Sequence, residues 1–444
     1  TNYVGIFYFL KRKGKNMKNR KAIALIAILA IFAAACGTAD EVVEEETVIT
    51  EAPLTTEAPA TTTAPSADPL VLASLMPLSG DLASLGPGIA LGAALAVQQI
   101  NAAGGINGAD VTLLEGDSGC DGAVALTSLN DVIAQGAQGV MGAACSGTSI
   151  AILDTAIAAK VVMVSPSNTS PQFTTMDNKG FYARTAPSDL LQGQVLSALL
   201  IEDGVKTISI ISRADSYGRG LAEATASAFE ATEGNVVTNI VYHATDATEF
   251  SAEVTLLGKG SVDAIVGILF PETGCGVLQP AFETGLLDTP WYMTDGVKDA
   301  GLASLCGLGT ALDGFKGTAP GSTAGDAKVA FEAAYAEVSA DGEPTFIFAP
   351  QAYDAVMLMA ISAAANGVTG AEIASGLAEA SSGGTQCIGV ECIALAAAGE
   401  DVDYMGASGD INLDDAGDPT AATYDIWTTE GDNNPVLKSV DFGS

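Results

Sequence analysis

From residue 70 onward the chain alternates short apolar runs with longer amphipathic ones, and no other feature constrains its fold as strongly. Segments 70–75, 111–115, 139–142 and 161–164 read as strands, with helices at 88–101, 122–135 and 150–160 between them. Such a rhythm places successive strands parallel in one sheet and covers both faces with helices. Val161-Val162-Met163-Val164 is apolar at every position, as a strand buried on both faces must be. The rhythm then restarts: strands 207–212, 236–242, 264–269 and 291–294 alternate with helices 221–232, 250–257 and 276–285. Further on, 328–338 and 351–365 read as helices and 424–427 as a strand. The expectation is an α/β chain of two doubly wound parallel-sheet lobes. The 444 residues, 48% of them apolar, suffice for two such cores. Extended segments 182–187 and 315–320 are candidate crossings, which makes both lobes discontinuous.

The N-terminal part is of a different kind. Met17-Lys18-Asn19-Arg20-Lys21 precedes an almost wholly apolar run from Ala22 to Ala35, followed by Cys36-Gly37. A basic start, a short apolar stretch and small residues before a cleavage point make an export signal, too short to span a bilayer comfortably. Residues 1–35 are therefore expected to be upstream sequence and signal peptide. Ala33-Ala34-Ala35-Cys36 resembles the lipobox of bacterial lipoproteins, with Ala33 where leucine is usual, and implies lipidation of Cys36. Residues 36–69 are rich in Thr, Ala, Pro and Glu and have few large apolar side chains, so they read as a disordered acidic tether.

Seven of the 18 basic residues precede Cys36 and none of the 53 acidic ones does, so the exported part is far more acidic than the formal net charge of -35 suggests. Such a surface repels nucleic acid and anionic headgroups. Besides Cys36 there are six cysteines, an even number in an exported chain. Disulfides among Cys120, Cys145, Cys275, Cys306, Cys387 and Cys392 are expected, Cys387 and Cys392 being close enough for a local loop, although six cysteines permit about fifteen pairings. A metal site is not expected. No C-x-x-C occurs, and the single histidine, His243, has no ligand neighbour.

Ligands of open parallel sheets bind beyond the carboxyl ends of the strands. After strand 139–142 comes Cys145-Ser146-Gly147-Thr148-Ser149, directly before a helix, and after strand 161–164 comes Ser165-Pro166-Ser167-Asn168-Thr169-Ser170-Pro171. Hydroxyls and amides at a helix N-terminus suit a carboxylate, although capping and turns are their commoner role. In the second block, the loop after 207–212 holds Arg213, Asp215 and Tyr217, and Asp295 follows strand 291–294. Tyr217 is placed to close over a ligand and Asp295 to neutralise an ammonium; helix capping by Asp215 and a turn at Asp295-Gly296 are the plainer alternatives. Catalysis has little support. No G-x-S-x-G, H-E-x-x-H or phosphate-loop pattern is present, and Gly86-Pro87-Gly88 lacks dinucleotide-binding spacing. His243 lies at a strand end, away from the serine loops, and is expected on the surface.

Met76-Pro77-Leu78-Ser79-Gly80, Gly92-Ala93 and above all Ile100-Asn101-Ala102-Ala103-Gly104-Gly105-Ile106-Asn107-Gly108 resemble the branched-chain amino acid-binding proteins of ABC importers. The resemblance runs from about residue 70 to 427 and extends to Tyr217-Gly218-Arg219-Gly220. It implies the type I periplasmic binding fold, with residues 70–186 and 320–408 in lobe 1, 187–319 and 409–444 in lobe 2, and a three-segment hinge. It pairs Cys120 with Cys145. It assigns the ligand carboxylate to Ser146, Ser167 (through its backbone) and Thr169, and the ammonium to Asp295 with help from Thr169. Tyr217 becomes a lining residue. A family aromatic is replaced by Leu85, and its second-lobe counterpart falls at Leu269 or Phe270.

The resemblance implies an exported, lipid-anchored protein of the cell envelope that is not an enzyme and needs no cofactor. By the same resemblance it is expected to close on a small amino acid, foremost of the branched-chain type, or a related amide, and to dock on an ABC permease in the membrane. The family also binds amides, urea and aromatic acids. The rivals are a ligand-sensing lipoprotein and, less compatible with one histidine, an exported serine hydrolase using Ser146.

Overall fold

The computed structural model describes residues 68–340 and 346–442, so Cys36, the apolar run and nearly all of the tether lie outside the described residues. The first part runs β1 (Val71–Met76), α1 (Gly86–Ala102), β2 (Thr112–Asp117), α2 (Gly122–Ala134), β3 (Gly139–Gly142), α3 (Ser146–Ala159), β4 (Val162–Ser165), α4 (Gln172–Thr175) and β5 (Tyr182–Arg184). Its strands form one wholly parallel sheet in the order β2-β1-β3-β4-β5. The central β3 and β4 are buried at every position, and edge strand β2 is partly open, which is why their apolar patterns differ.

The second part runs α5 (Asp189–Glu202), β6 (Thr207–Arg213), α6 (Ser216–Glu230), β7 (Val236–His243), α7 (Ser251–Leu257), β8 (Ala264–Ile268), α8 (Pro271–Glu283), β9 (Trp291–Met293), α9 (Leu302–Leu305) and β10 (Lys316–Pro320). These strands are parallel in the order β7-β6-β8-β9-β10, which repeats the order of the first sheet. Helix α8 begins at Pro271, five residues before the expected start at 276, because a proline at the first turn lacks only an amide that would be unbonded there.

The chain then returns to the first sheet with α10 (Asp326–Val338), α11 (Ala349–Asn366), α12 (Gly370–Ser381), β11 (Thr385–Cys387), α13 (Val390–Ala397) and β12 (Val402–Tyr404). Helix α11 packs against α1, α12, α13, β3 and β4, so it is buried from Ala349 through Ala363. Finally β13 (Ala422–Thr428) and β14 (Val436–Phe442) extend the second sheet antiparallel beyond β10.

Segment 315–320, expected as a crossing, is instead mostly the core strand β10. Gly317 makes this possible: a Cβ there would lie 2.2 Å from the Trp427 ring of β13. The chain passes between lobes after β5, after β10 and before β13. Hydrogen bonds join these passages: Gln351 Nε2 donates to Gly321 O (3.0 Å), Gly321 N to Thr423 O (2.8 Å), and Arg184 N to Gly417 O (2.9 Å). Among the described residues three disulfides are formed, Cys120–Cys145, Cys275–Cys306 and Cys387–Cys392. The first ties the loop ahead of α2 to the loop ahead of α3.

Candidate ligand-binding cleft

Strand order reverses between β1 and β3 in one sheet and between β6 and β8 in the other. Crevices open at such reversals, because neighbouring connections leave to opposite faces. The loops at these points meet across a cleft. From lobe 1 come segments 77–85, 143–146 and 165–171; from lobe 2 come 213–217, 269–273 and 294–296.

The lobe 1 loops are held by their own polar groups. Ser165 Oγ and Asn168 Nδ2 donate to Ala143 O (2.8 and 3.1 Å), and Ser167 Oγ donates to Ala144 O (3.1 Å). Ser146 opens α3, is almost wholly buried, and its Oγ accepts from Ser170 N at 3.4 Å. Thr169 differs: its Oγ1 is buried and has no hydrogen-bond partner among the described residues. Ser146 and Thr169 are thus brought together, whereas the Ser167 hydroxyl is spent on the scaffold and its amide faces Ser165 Oγ at 3.4 Å.

Behind this loop stands Arg184, fully buried. Its Nε and Nη2 bond the two carboxylate oxygens of Asp418 (2.6 and 2.7 Å), while Nη1 donates to Asn168 O (3.2 Å) and Ser170 O (2.9 Å).

On the lobe 2 side, Tyr217 Oη donates to Asp295 Oδ1 (2.9 Å) and Gln192 Nε2 donates to the same oxygen (2.7 Å). Asp295 opens a 3-10 turn and is buried, so the turn and the acidic site coincide. Tyr217 also stacks on Phe270, with ring centroids 5.3 Å apart, and the Arg213 guanidinium covers Phe270 at 4.0 Å. Tyr217 therefore contributes a hydroxyl as well as an apolar face. Asp215 caps α6 by accepting from Gly218 N (2.8 Å) and pairs with Arg213 (2.8 Å). Leu85 is buried just ahead of α1.

Asp189, which the sequence did not single out, completes the cluster. It is the first residue of α5, its amide donates to Thr169 O (2.8 Å), and it is 0% exposed. Neither of its carboxylate oxygens has a hydrogen-bond partner among the described residues. Burial, reinforced by the charge of Asp295, pushes its carboxyl well above the usual range; Thr169 favours the charged form without reaching hydrogen-bond geometry. Burial likewise raises Asp295, to about 6, against the bonds from Gln192 and Tyr217. A fully buried carboxylate with no donor is costly. Its surroundings suit an incoming cation, and the Ser146 hydroxyl at the start of α3, with the Thr169 hydroxyl of the loop after β4, suits an anion beside it.

His243 corrects an expectation. It is 0% exposed rather than on the surface, because Phe250 packs over it at 4.7 Å; its Nδ1 lies 2.9 Å from Ala244 O, and burial lowers its pKa. Among the described residues, no group of three or more His, Cys, Asp or Glu side chains is placed to hold a metal ion.

Two α/β lobes joined by three passages, with hydroxyl-bearing loops facing an acidic pair, define a hinged domain for capturing small ligands. The family model described as "Receptor family ligand binding region" matches residues 89–432, and the chain belongs to that family. It is 30% identical over 269 residues to the leucine-, isoleucine-, valine-, threonine- and alanine-binding protein of Pseudomonas aeruginosa, covering 60% of this chain and 70% of that one. It is 31% identical over 217 residues to the leucine-specific-binding protein of Salmonella typhimurium, covering 48% of this chain and 57% of that one. The chain thus matches little more than half the length of the latter. Among solved structures, the fold is shared with a leucine-binding protein from Thermotoga maritima (TM-score 0.71, 20% identity, covering 84% of this chain and 98% of that one). It is also shared with a branched-chain amino acid transporter substrate-binding protein from Streptococcus pneumoniae in complex with isoleucine (TM-score 0.70, 23% identity, covering 85% and 100%). The architecture is therefore the type I periplasmic binding fold.

Proposed function

We propose that this protein is the extracytoplasmic solute-binding component of an ABC importer and captures a small amino acid, of the branched-chain type, by closing its lobes. The observation that carries this is the unpartnered, fully buried carboxylate of Asp189, next to Asp295 and to the free Thr169 hydroxyl. An α-amino acid supplies both missing partners. Its ammonium faces Asp189 and Asp295, with Thr169 and Tyr217 alongside, and its carboxylate faces Ser146, Thr169 and the start of α3. Phe270 and Leu85 are assigned to the side-chain end, where their apolar surfaces suit an aliphatic group. Ser167 supplies its backbone and holds the loop. No covalent step is needed.

The Pseudomonas and Salmonella relatives are binding proteins by name, and this supports a binding role over a hydrolytic one. The basic start, the apolar run and Ala33-Ala34-Ala35-Cys36 support export and lipid attachment at Cys36, with residues 37–69 as the tether. The closed protein then presents its ligand to a membrane permease.

A thermal-shift comparison tests the capture of an amino acid. L-leucine, L-isoleucine and L-valine stabilise the protein, by about 2.7 kcal/mol at a hundred times Kd, while 4-methylpentanoate, which is leucine without its amino group, does not. Equal stabilisation by leucine and 4-methylpentanoate, or by none of them, refutes it.

A further inference from the structure

The lobes touch across the cleft through contacts that need no ligand. The Glu272 carboxylate at the start of α8 accepts from Leu82 N (2.7 Å) and Ser84 N (2.9 Å) of lobe 1, with Leu82 held at a φ of 69°. Arg213 pairs with Asp81 at 2.6 Å, and Ser170 Oγ donates to Ser216 O at 2.9 Å. Each contact favours closure, and nothing in them distinguishes a filled cleft from an empty one. An importer served by a protein that shut when empty would be engaged without cargo.

The groups around Asp189 supply an opposing force. Arg184 is the cation that acts on it, but its donors are committed to Asp418, to the carbonyls of Asn168 and Ser170, and to Thr174. Asp215 adds negative charge, already paired with Arg213. Tyr217 and Tyr424 face the acidic pair, and their phenols are held neutral by burial and by the neighbouring carboxylates. Gln192 and Tyr217 give Asp295 neutral donors only. Both acids belong to lobe 2, so the approach of lobe 1 strips their water and, among the described residues, brings no uncommitted cation.

We propose that Asp189 and Asp295 form an electrostatic closure gate: lobe 1 shuts over them only when a cationic group has neutralised the pair, so the ammonium of the ligand is the condition for closing. The gate presupposes that the ligand is an amino acid, and it adds specificity at the closing step. A carboxylic acid without an amine leaves the two acids uncompensated, so the lobes stay apart. Protons replace the ammonium in acid, because the closed state holds these carboxyls above their ordinary pKa and so binds more protons than the open one.

Small-angle X-ray scattering reads the gate directly. At pH 7.5 the ligand-free protein is expected to be expanded. L-leucine compacts it, and 4-methylpentanoate does not. Asp189→Asn and Asp295→Asn, which keep the shape and remove the charge, shift the ligand-free radius of gyration towards the leucine-bound value. The unsubstituted protein without ligand contracts as pH falls from 7.5 to 5, a test that does not depend on any variant folding. The gate is overturned if both variants stay as expanded as the parent, if the parent does not contract at pH 5, or if it is already compact at pH 7.5 without ligand. Failure of leucine, isoleucine and valine to bind refutes the amino-acid assignment instead, whereas binding with unaltered variants refutes the gate alone.

Discussion

Removing the Asp418 carboxylate should loosen the ligand loop from behind without touching the cleft. The Arg184 guanidinium is fully buried and spans two jobs. Two of its nitrogens hold Asp418, in the passage between β12 and β13, and the third holds the carbonyls of Asn168 and Ser170 on either side of Thr169. Asp418→Ala leaves that cation with only the two carbonyls and the Thr174 hydroxyl. A buried charge that loses its partner costs about 3–5 kcal/mol. Asp418→Asn keeps an acceptor but gives up the charge assistance, and about 2 kcal/mol is expected. Denaturant unfolding of the ligand-free protein, with leucine calorimetry on the same samples, measures both effects. The double replacement Arg184→Met with Asp418→Leu separates them: stability returns close to the parent's because no charge is stranded, but leucine affinity stays at least about tenfold weaker (1.4 kcal/mol) because the loop carbonyls have lost their anchor. If Asp418→Ala unfolds within 1 kcal/mol of the parent (roughly the median worth of an exposed pair), the pair is not the buried anchor described.

Three further outcomes are expected. The melting temperature of the ligand-free protein should rise as pH falls from 7.5 towards 5: closing buries Asp189 and Asp295 and lifts their pKa values above the unfolded ones, so the closed folded state takes up protons as pH drops through about 6. Saturating leucine should flatten that dependence, and a pH-independent melting temperature without ligand would contradict the burial of the pair on closing. Phe270→Leu keeps apolar volume but removes the stack with Tyr217 and the cover under Arg213, and leucine should bind several-fold more weakly, in line with the ~0.5–1.5 kcal/mol typical of an aromatic pair. Cys275→Ser with Cys306→Ser opens a loop spanning 31 residues, which chain entropy values at about 3.7 kcal/mol; denaturant midpoints unchanged under oxidising conditions would show that the bond does not constrain the unfolded chain.

The two parallel sheets were legible because doubly buried strands leave short, wholly apolar runs, as in 161–164 and 264–268, whereas edge strands and late elements do not. The antiparallel β14 is mostly exposed and carries no such run. Segment 315–320 looked like a connector because it is an extended stretch lying between the two blocks, and only the Trp427 ring explains the glycine that lets it be a core strand. In the cleft, Ser146, Thr169, Tyr217 and Asp295 stood out because each sits in the loop that follows an apolar strand run. Asp189 was overlooked for a physical reason. It opens a helix, α5, whose exposed stripe carries the apolar Leu190 and Ala198 beside Gln194 and Glu202, so no amphipathic pattern marks it. The pair Ser188-Asp189, a cap followed by an acid in the first turn, was the available signal and has an ordinary helix-start explanation. His243 looked exposed at a strand end because nothing local shows that Phe250 folds over it.

A crystal structure of the protein grown with L-leucine tests the proposed chemistry of the cleft most directly. The amine nitrogen should lie within hydrogen-bonding reach of Asp189 and Asp295, and the carboxylate at Ser146 and Thr169, with both lobes in contact with the ligand. Leucine bound outside the cleft, or inside it with its amine turned away from both acids, would contradict the account.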